Sequence, residues 1–129
     1  MSEVVIDASA LLALLNAEPG TDTVVNALTV GEGVISAVNL SEVVAKLCEA
    51  GMPEEAVYRA LQPLGLEVVP FDEEHAYQAG FMRLITHDTG ISLGDRACLS
   101  LAKMLGTTAL TADRAWSGLS IGVTVKVIR

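Results

Sequence analysis

The chain has 129 residues, 51% of them hydrophobic, and a formal net charge of −8. That length suits one compact domain with its own core and no need of disulfide or zinc staples, and that apolar content excludes a disordered chain. The acidic balance also speaks against a generic nucleic-acid-binding surface, which would be basic. Aromatics are only 4%, so the core must be aliphatic. Charge or glycine interrupts every apolar stretch well before the ~20 residues a membrane span needs. The opening MSEVVIDASALLALLNAEPG has acids where a secretory leader has bases. The expectation is a cytoplasmic protein with no membrane association. Cys48 and Cys98 sit in helical patterns without a CxxC spacing, which predicts two buried, reduced thiols.

In chain order, Val4-Val5-Ile6 is a short apolar run of the kind found in a central parallel strand, and it ends at Asp7. A helix is expected over residues 9–16, closed by Pro19-Gly20, and another over 21–30. Residues 33–36 are a strand candidate. Residues 38–50 form an amphipathic helix pattern, with Val43, Val44 and Leu47 on its apolar side and Asn39, Glu42, Lys46 and Glu49 on its polar side. Gly51 ends it and Pro53 opens a helix to about residue 62. A strand over 66–70 precedes a long helix over 73–87, capped by Asp72. Ser92-Leu93-Gly94-Asp95 reads as a capping signature for a helix running to Leu105, stopped by Gly106. A strand over 107–110, a short helical turn over 113–116 and a strand over 123–128 complete the chain. The alternation predicts a single-domain, three-layer α/β/α architecture spanning residues 1–129, with a mainly parallel sheet of about five strands.

Ligands of open α/β sheets bind beyond the carboxyl ends of the strands. Asp7 and Asp113 each follow a predicted strand, and Glu42 and Asp95 fall in the first turn of predicted helices. Four carboxylates in one crevice suit a hard cation such as Mg²⁺ or Mn²⁺, which can activate water and stabilise a phosphodiester leaving oxygen. Two such ions would bring the net charge from −8 to −4. Each acid has a second reading as a helix cap: Asp7 before the first helix, Asn39 with Glu42 and Ser92 with Asp95 as capping boxes, Asp113 before the short turn. Glu42 is also spaced to pair with Lys46. Capping and ligation are compatible, because a helix N-terminus keeps a carboxylate ionised.

The run Val4-Val5-Ile6-Asp7-Ala8-Ser9-Ala10-Leu11-Leu12-Ala13-Leu14-Leu15 resembles the opening of PIN domains. Ser36-Ala37-Val38-Asn39-Leu40-Ser41-Glu42-Val43, Ser92-Leu93-Gly94-Asp95-Arg96-Ala97-Cys98 and Leu110-Thr111-Ala112-Asp113-Arg114-Ala115-Trp116 resemble the second, third and fourth acidic motifs of that family, in its order and across almost the whole chain. Within the family the chain is similar to the short VapC-type toxins of toxin–antitoxin pairs. The resemblance implies that Asp7, Glu42, Asp95 and Asp113 form a catalytic metal site, with Ser9 and Thr111 as supporting hydroxyls and Asn39 as a polar neighbour. It further implies a Mg²⁺- or Mn²⁺-dependent endoribonuclease acting on RNA, a homodimer, and a cognate antitoxin that silences it.

Arg96 and Arg114 directly follow two of the acids, as contacts for substrate phosphates or as neutralising neighbours. Arg83 and Lys103 read as solvated, His75 and His87 lack metal-ligand spacing, and Trp116 reads as core or interface. Residues 1–55 hold nine acids and one base, Lys46, against seven acids and seven bases in the remainder. This one-sided charge suggests that a basic antitoxin segment docks on the first half. The other readings are a non-catalytic PIN-like binding module, a metal-dependent DNase and a Mg²⁺ phosphatase. The phosphatase lacks support from an Asp-x-Asp pair, since Ser9 stands two residues after Asp7, and there is no Gly-x-x-x-x-Gly-Lys phosphate loop.

Overall fold

A computed structural model describes residues 3–129. The predicted α/β architecture is present. Five strands, β1 (Val4–Ile6), β2 (Gly33–Ser36), β3 (Glu67–Val69), β4 (Thr108–Thr111) and β5 (Thr124–Val127), form one sheet in the order β3-β2-β1-β4-β5. Every pairing is parallel. The helices are α1 (Ala8–Leu15), α2 (Asp22–Thr29), α3 (Ala37–Glu49), α4 (Glu54–Leu61), α5 (Glu73–Phe81), α6 (Arg83–Thr86) and α7 (Leu93–Leu105). Among the described residues, no helix is long and apolar enough to cross a membrane.

The short apolar strands work because successive side chains leave opposite faces of the sheet. Ile6, Ile35 and Leu110 enter one core with Leu11, Val24, Val43 and Val57, from α1 to α4. Their neighbours Val5, Val34 and Ala109 enter the other, with Met82, Leu99, Leu101 and Trp116. A strand buried on both sides has no polar side to show, which is why β1 is wholly apolar. Trp116, at 1% exposure, is a core residue.

Some expectations are corrected. The 73–87 helix is broken between α5 and α6, where the Thr86 hydroxyl donates to the Met82 carbonyl (2.9 Å), a back-bond that bends helices. Helix α3 starts at Ala37 because Ser36 caps it, its Oγ accepting from the Val38 amide. Glu42 therefore lies in the second turn, and Asn39 is fully buried and not on a polar face. Lys46 pairs with Glu49 and not with Glu42. Both cysteines are free, but Cys48 is exposed and only Cys98 is buried.

Chain order fixes where a crevice must open. From β1 the chain steps outward to β2 and β3, then returns to the other side of β1 as β4 and β5. The direction of winding reverses between β1 and β4, the switch point at which α/β sheets bind ligands. The last segment bonds the end of β4 through the Ile128 amide and the Thr111 carbonyl and lies against the loop after α1. Gly20 has φ +86°, and a Cβ there would stand 2.3 Å from the Ile128 carbonyl oxygen. Gly20→Ala is expected to destabilise the protein by roughly 1–3 kcal/mol in urea unfolding. An unchanged midpoint would show that the loop and the final strand are not tightly locked.

Candidate metal centre

Asp7 is the first residue after β1, and its amide donates to the Leu110 carbonyl of β4 at 2.9 Å. It occupies the N-cap position of α1 but makes no side-chain cap bond. Its carboxylate instead takes two hydroxyl donors on one oxygen, Ser9 Oγ to Oδ2 at 2.6 Å and Thr111 Oγ1 to Oδ2 at 2.9 Å. The two hydroxyl oxygens lie 3.1 Å apart. With their protons spent on Asp7, they accept backbone amides, Ser9 Oγ from Ala112 (3.0 Å) and Thr111 Oγ1 from Asp113 (3.0 Å). The same pair thus fixes the carboxylate and the start of the loop after β4.

Asp95 and Glu42 come from the helices on either side. Helix α7 leads into β4, so its N-terminus lies at the carboxyl edge of the sheet, where α3 also begins. Ser92 and Asp95 form the predicted capping box, each side chain bonding the other's backbone amide. Asp95 is thereby placed in the first turn of α7, half-buried. Glu42 is held by Asn39, whose Nδ2 donates to Glu42 Oε1 and to the Gly94 carbonyl, both at 2.9 Å. Both partners can only accept, which assigns the amide orientation. Asn39 Oδ1 is buried and has no hydrogen-bond partner.

Asp95 and Glu42 are near enough for their charges to act on Asp7. Burial pushes the Asp7 carboxyl above the usual aspartate range. The Ser9 and Thr111 hydroxyls pull it back, and the nearby negative charges of Asp95 and Glu42 raise it further. The thiol of Cys98, one turn after Asp95 on α7, is pushed well up by burial and then by Asp7, Asp95 and Glu42 together. Sequence reading missed Cys98 and Gly94 as neighbours of the acids. A lone glycine inside a helical pattern, next to a candidate ligand, was the available signal for Gly94.

The fourth acid stands apart. Asp113 is exposed and caps the 3₁₀ turn Arg114–Gly118, its Oδ1 accepting from the Ala115 amide at 2.9 Å. The Arg96 guanidinium donates to the Ala79 carbonyl on α5 (3.0 Å), and Arg114 Nε to the Arg129 carbonyl (3.2 Å). Among the described residues, no three His, Cys, Asp or Glu side chains converge closely enough to enclose an ion. The donor set still fits a hard divalent cation. The charges of Asp95 and Glu42 reach the buried Asp7, and the buried amide oxygen of Asn39, the residue that holds Glu42, lacks a partner.

A five-stranded parallel sheet with Asp7 at its switch point defines an α/β protein of the class that binds ligands beyond its strand ends. More narrowly, the family model of the PIN domain matches residues 4–121, and the chain belongs to the PIN-domain family. Solved structures agree on the fold. The Rickettsia felis VapBC2 structure, bound to a promoter DNA fragment, matches with TM-score 0.75 and 18% identity, over 95% of this chain and 96% of that one. DNA-bound VapBC from Salmonella typhimurium gives 0.75 and 19%, over 98% of each chain. Mycobacterium tuberculosis VapC20, a Sarcin-Ricin loop cleaving toxin, gives 0.69 and 18%, over 95% and 99%. No curated protein matches the chain by sequence.

The raised Asp7 pKa has a consequence for stability. The fold favours the protonated acid, so the associated stability is present below the ordinary value of 3.8 and is lost as pH rises toward the higher folded value. Asp7→Asn removes a buried, repelled charge while keeping an oxygen for the two hydroxyls. In EDTA the variant is expected to gain on wild type between pH 4 and pH 7 in urea unfolding. A variant less stable than wild type at pH 7 would contradict the repulsion argument.

Proposed function

We propose that this protein is a Mg²⁺- or Mn²⁺-dependent endoribonuclease, the toxin of a VapBC-type toxin–antitoxin pair. The observation that carries the reading is the buried, hydroxyl-held Asp7 at the switch point, with Glu42 and Asp95 within electrostatic reach. Membership of the PIN-domain family supports it, as does the likeness to VapC20, described as a Sarcin-Ricin loop cleaving toxin.

In this reading Asp7, Glu42 and Asp95 would hold the ion, and Asp113, exposed on the loop after β4, would be an outer acid. A bound Mg²⁺ or Mn²⁺ supplies an activated water and stabilises the leaving oxygen of a phosphodiester. The chain's own contribution is orientation. Both hydroxyl bonds to Asp7 go to Oδ2, which leaves Oδ1 free to face a ligand. Asn39 fixes Glu42, and the Ser92 box fixes Asp95 in the first turn of α7. Arg96 is turned toward α5, so Arg114 is the better placed of the two arginines for substrate phosphate. Wild type is expected to cut RNA at low salt with Mg²⁺ or Mn²⁺ and not with EDTA. Asp7→Asn should lower the rate roughly 10²–10³-fold, and Thr111→Val should weaken metal binding about 10–100-fold. A folded wild type that binds Mn²⁺ in calorimetry but cuts no RNA, while cutting DNA, would move the reading to a DNase.

The partner expected from the charge pattern is a basic antitoxin segment. Leu40, Val44, Val57, Tyr58 and Leu61 line a groove of about 440 Å³ between α3 and α4, with Glu54 at its edge. An amphipathic segment with apolar anchors and flanking Lys or Arg fits that surface. Glu54 lines the groove and Glu49 directly follows Cys48, which also lines it, so these are the acids to reverse. Glu49→Lys with Glu54→Lys should weaken cognate antitoxin binding at least tenfold at low salt, and less at high salt. The free toxin should run as a dimer in light scattering, pairing through Phe81, Leu84 and Ile85 on the exposed face of α5 and α6. Unchanged antitoxin affinity at low salt would reject the groove, and a monomer at micromolar concentration would reject the pairing.

A further inference from the structure

We infer that Gly94 is a positioning residue, whose missing side chain sets where the Glu42 carboxylate rests; the inference builds on the metal-site reading above. A Cβ built on Gly94 would lie 2.3 Å from Glu42 Oε2 and 2.6 Å from both Oε1 and Cδ. No other atom near Gly94 is as close, so the space a methyl group would take is filled by one carboxylate. The helix itself has no need of glycine here. Gly94 is the second residue of α7 and is not among the positive-φ glycines, and glycine lowers helix stability relative to alanine. Gly80, in α5, has no atom within 4 Å of such a Cβ. The close approach at position 94 is therefore specific to Glu42.

Two bonds complete the arrangement. Asn39 Nδ2 uses one proton on Glu42 Oε1 and the other on the Gly94 carbonyl, tying the carboxylate to the backbone turn it lies against. Glu42 belongs to an exposed position on α3, where a long side chain would ordinarily sample several rotamers. Here the amide holds it from one side, and the bare Cα of Gly94 admits it from the other. Asp95 is the next residue along α7, so the contact at Gly94 also sets the spacing between the two acids. Glu42 would thus be an already oriented ligand for an ion held with Asp95.

A methyl group at position 94 would displace the far end of a flexible side chain, not the backbone, so the fold should tolerate it. The test compares wild type, Gly94→Ala, Glu42→Asp and the double variant, by Mn²⁺ calorimetry and by melting in EDTA. Gly94→Ala should bind Mn²⁺ about 10–100-fold more weakly than wild type, with a melting temperature in EDTA equal to or above the wild-type value. Glu42→Asp shortens the side chain by one methylene and should also weaken binding. In the double variant the shorter acid clears the methyl group, so the combined loss should be clearly smaller than the product of the two single losses. Wild-type affinity in Gly94→Ala, or losses that simply multiply, would overturn the positioning role. A wild type that binds no Mn²⁺ at all would instead sink the metal-site reading and this inference with it.

Discussion

The site depends on a carboxylate placed where it is costly to keep. Asp7 is 4% exposed at the end of the central strand, with two further acids nearby. Ionised carboxylates at such positions need hydrogen bonds and opposite charge. Ser9 and Thr111 supply the first and a divalent cation is proposed to supply the second. The hydroxyl pair does more than stabilise the acid. Their oxygens accept the amides of Ala112 and Asp113, so the geometry of the loop after β4 is fixed by the same atoms that fix Asp7. Carboxylate and loop form one unit, and a change in either hydroxyl would disturb both.

The surrounding fold reads as the support for that unit. Strands β1 and β4 are buried on both sides, which holds the Asp7–Thr111 contact between two aliphatic cores. Helices α3 and α7 approach from opposite faces, and Asn39 joins them above the sheet edge. The acids are held by three unlike devices, a hydroxyl pair, an amide bridge and a capping box, each using short polar side chains at an element boundary. Such residues compete with regular structure inside helices and strands and so concentrate at their ends. In a parallel α/β protein the relevant ends share one edge of the sheet.

Much of this was legible in the residues alone, for identifiable reasons. The all-apolar Val4-Val5-Ile6 run announces a central strand because only a strand covered on both faces dispenses with alternation. The Ser92–Asp95 box is local, and local signals survive folding intact. Asn39 shows what was not legible. Its three-residue spacing to Glu42 resembled a cap, yet Ser36 caps α3 and the buried Asn39 reaches across to Gly94, a contact 55 residues away in sequence. Asp113 shows the converse, since the cap reading describes its side chain in this structure. The break after Phe81 is accompanied by a hydroxyl back-bond to Met82 that helical periodicity does not register.

The two cysteines, read as equivalent in sequence, occupy opposite situations. Cys98 is sealed beneath the acids, while Cys48 lies exposed along the apolar groove between α3 and α4. Thiol chemistry acts on what solvent reaches. A maleimide dye added to the unmodified protein would therefore attach at a single position, on the wall of the groove and away from the crevice. Its emission would report occupancy of that groove in real time, with no engineered residue and without touching the carboxylates.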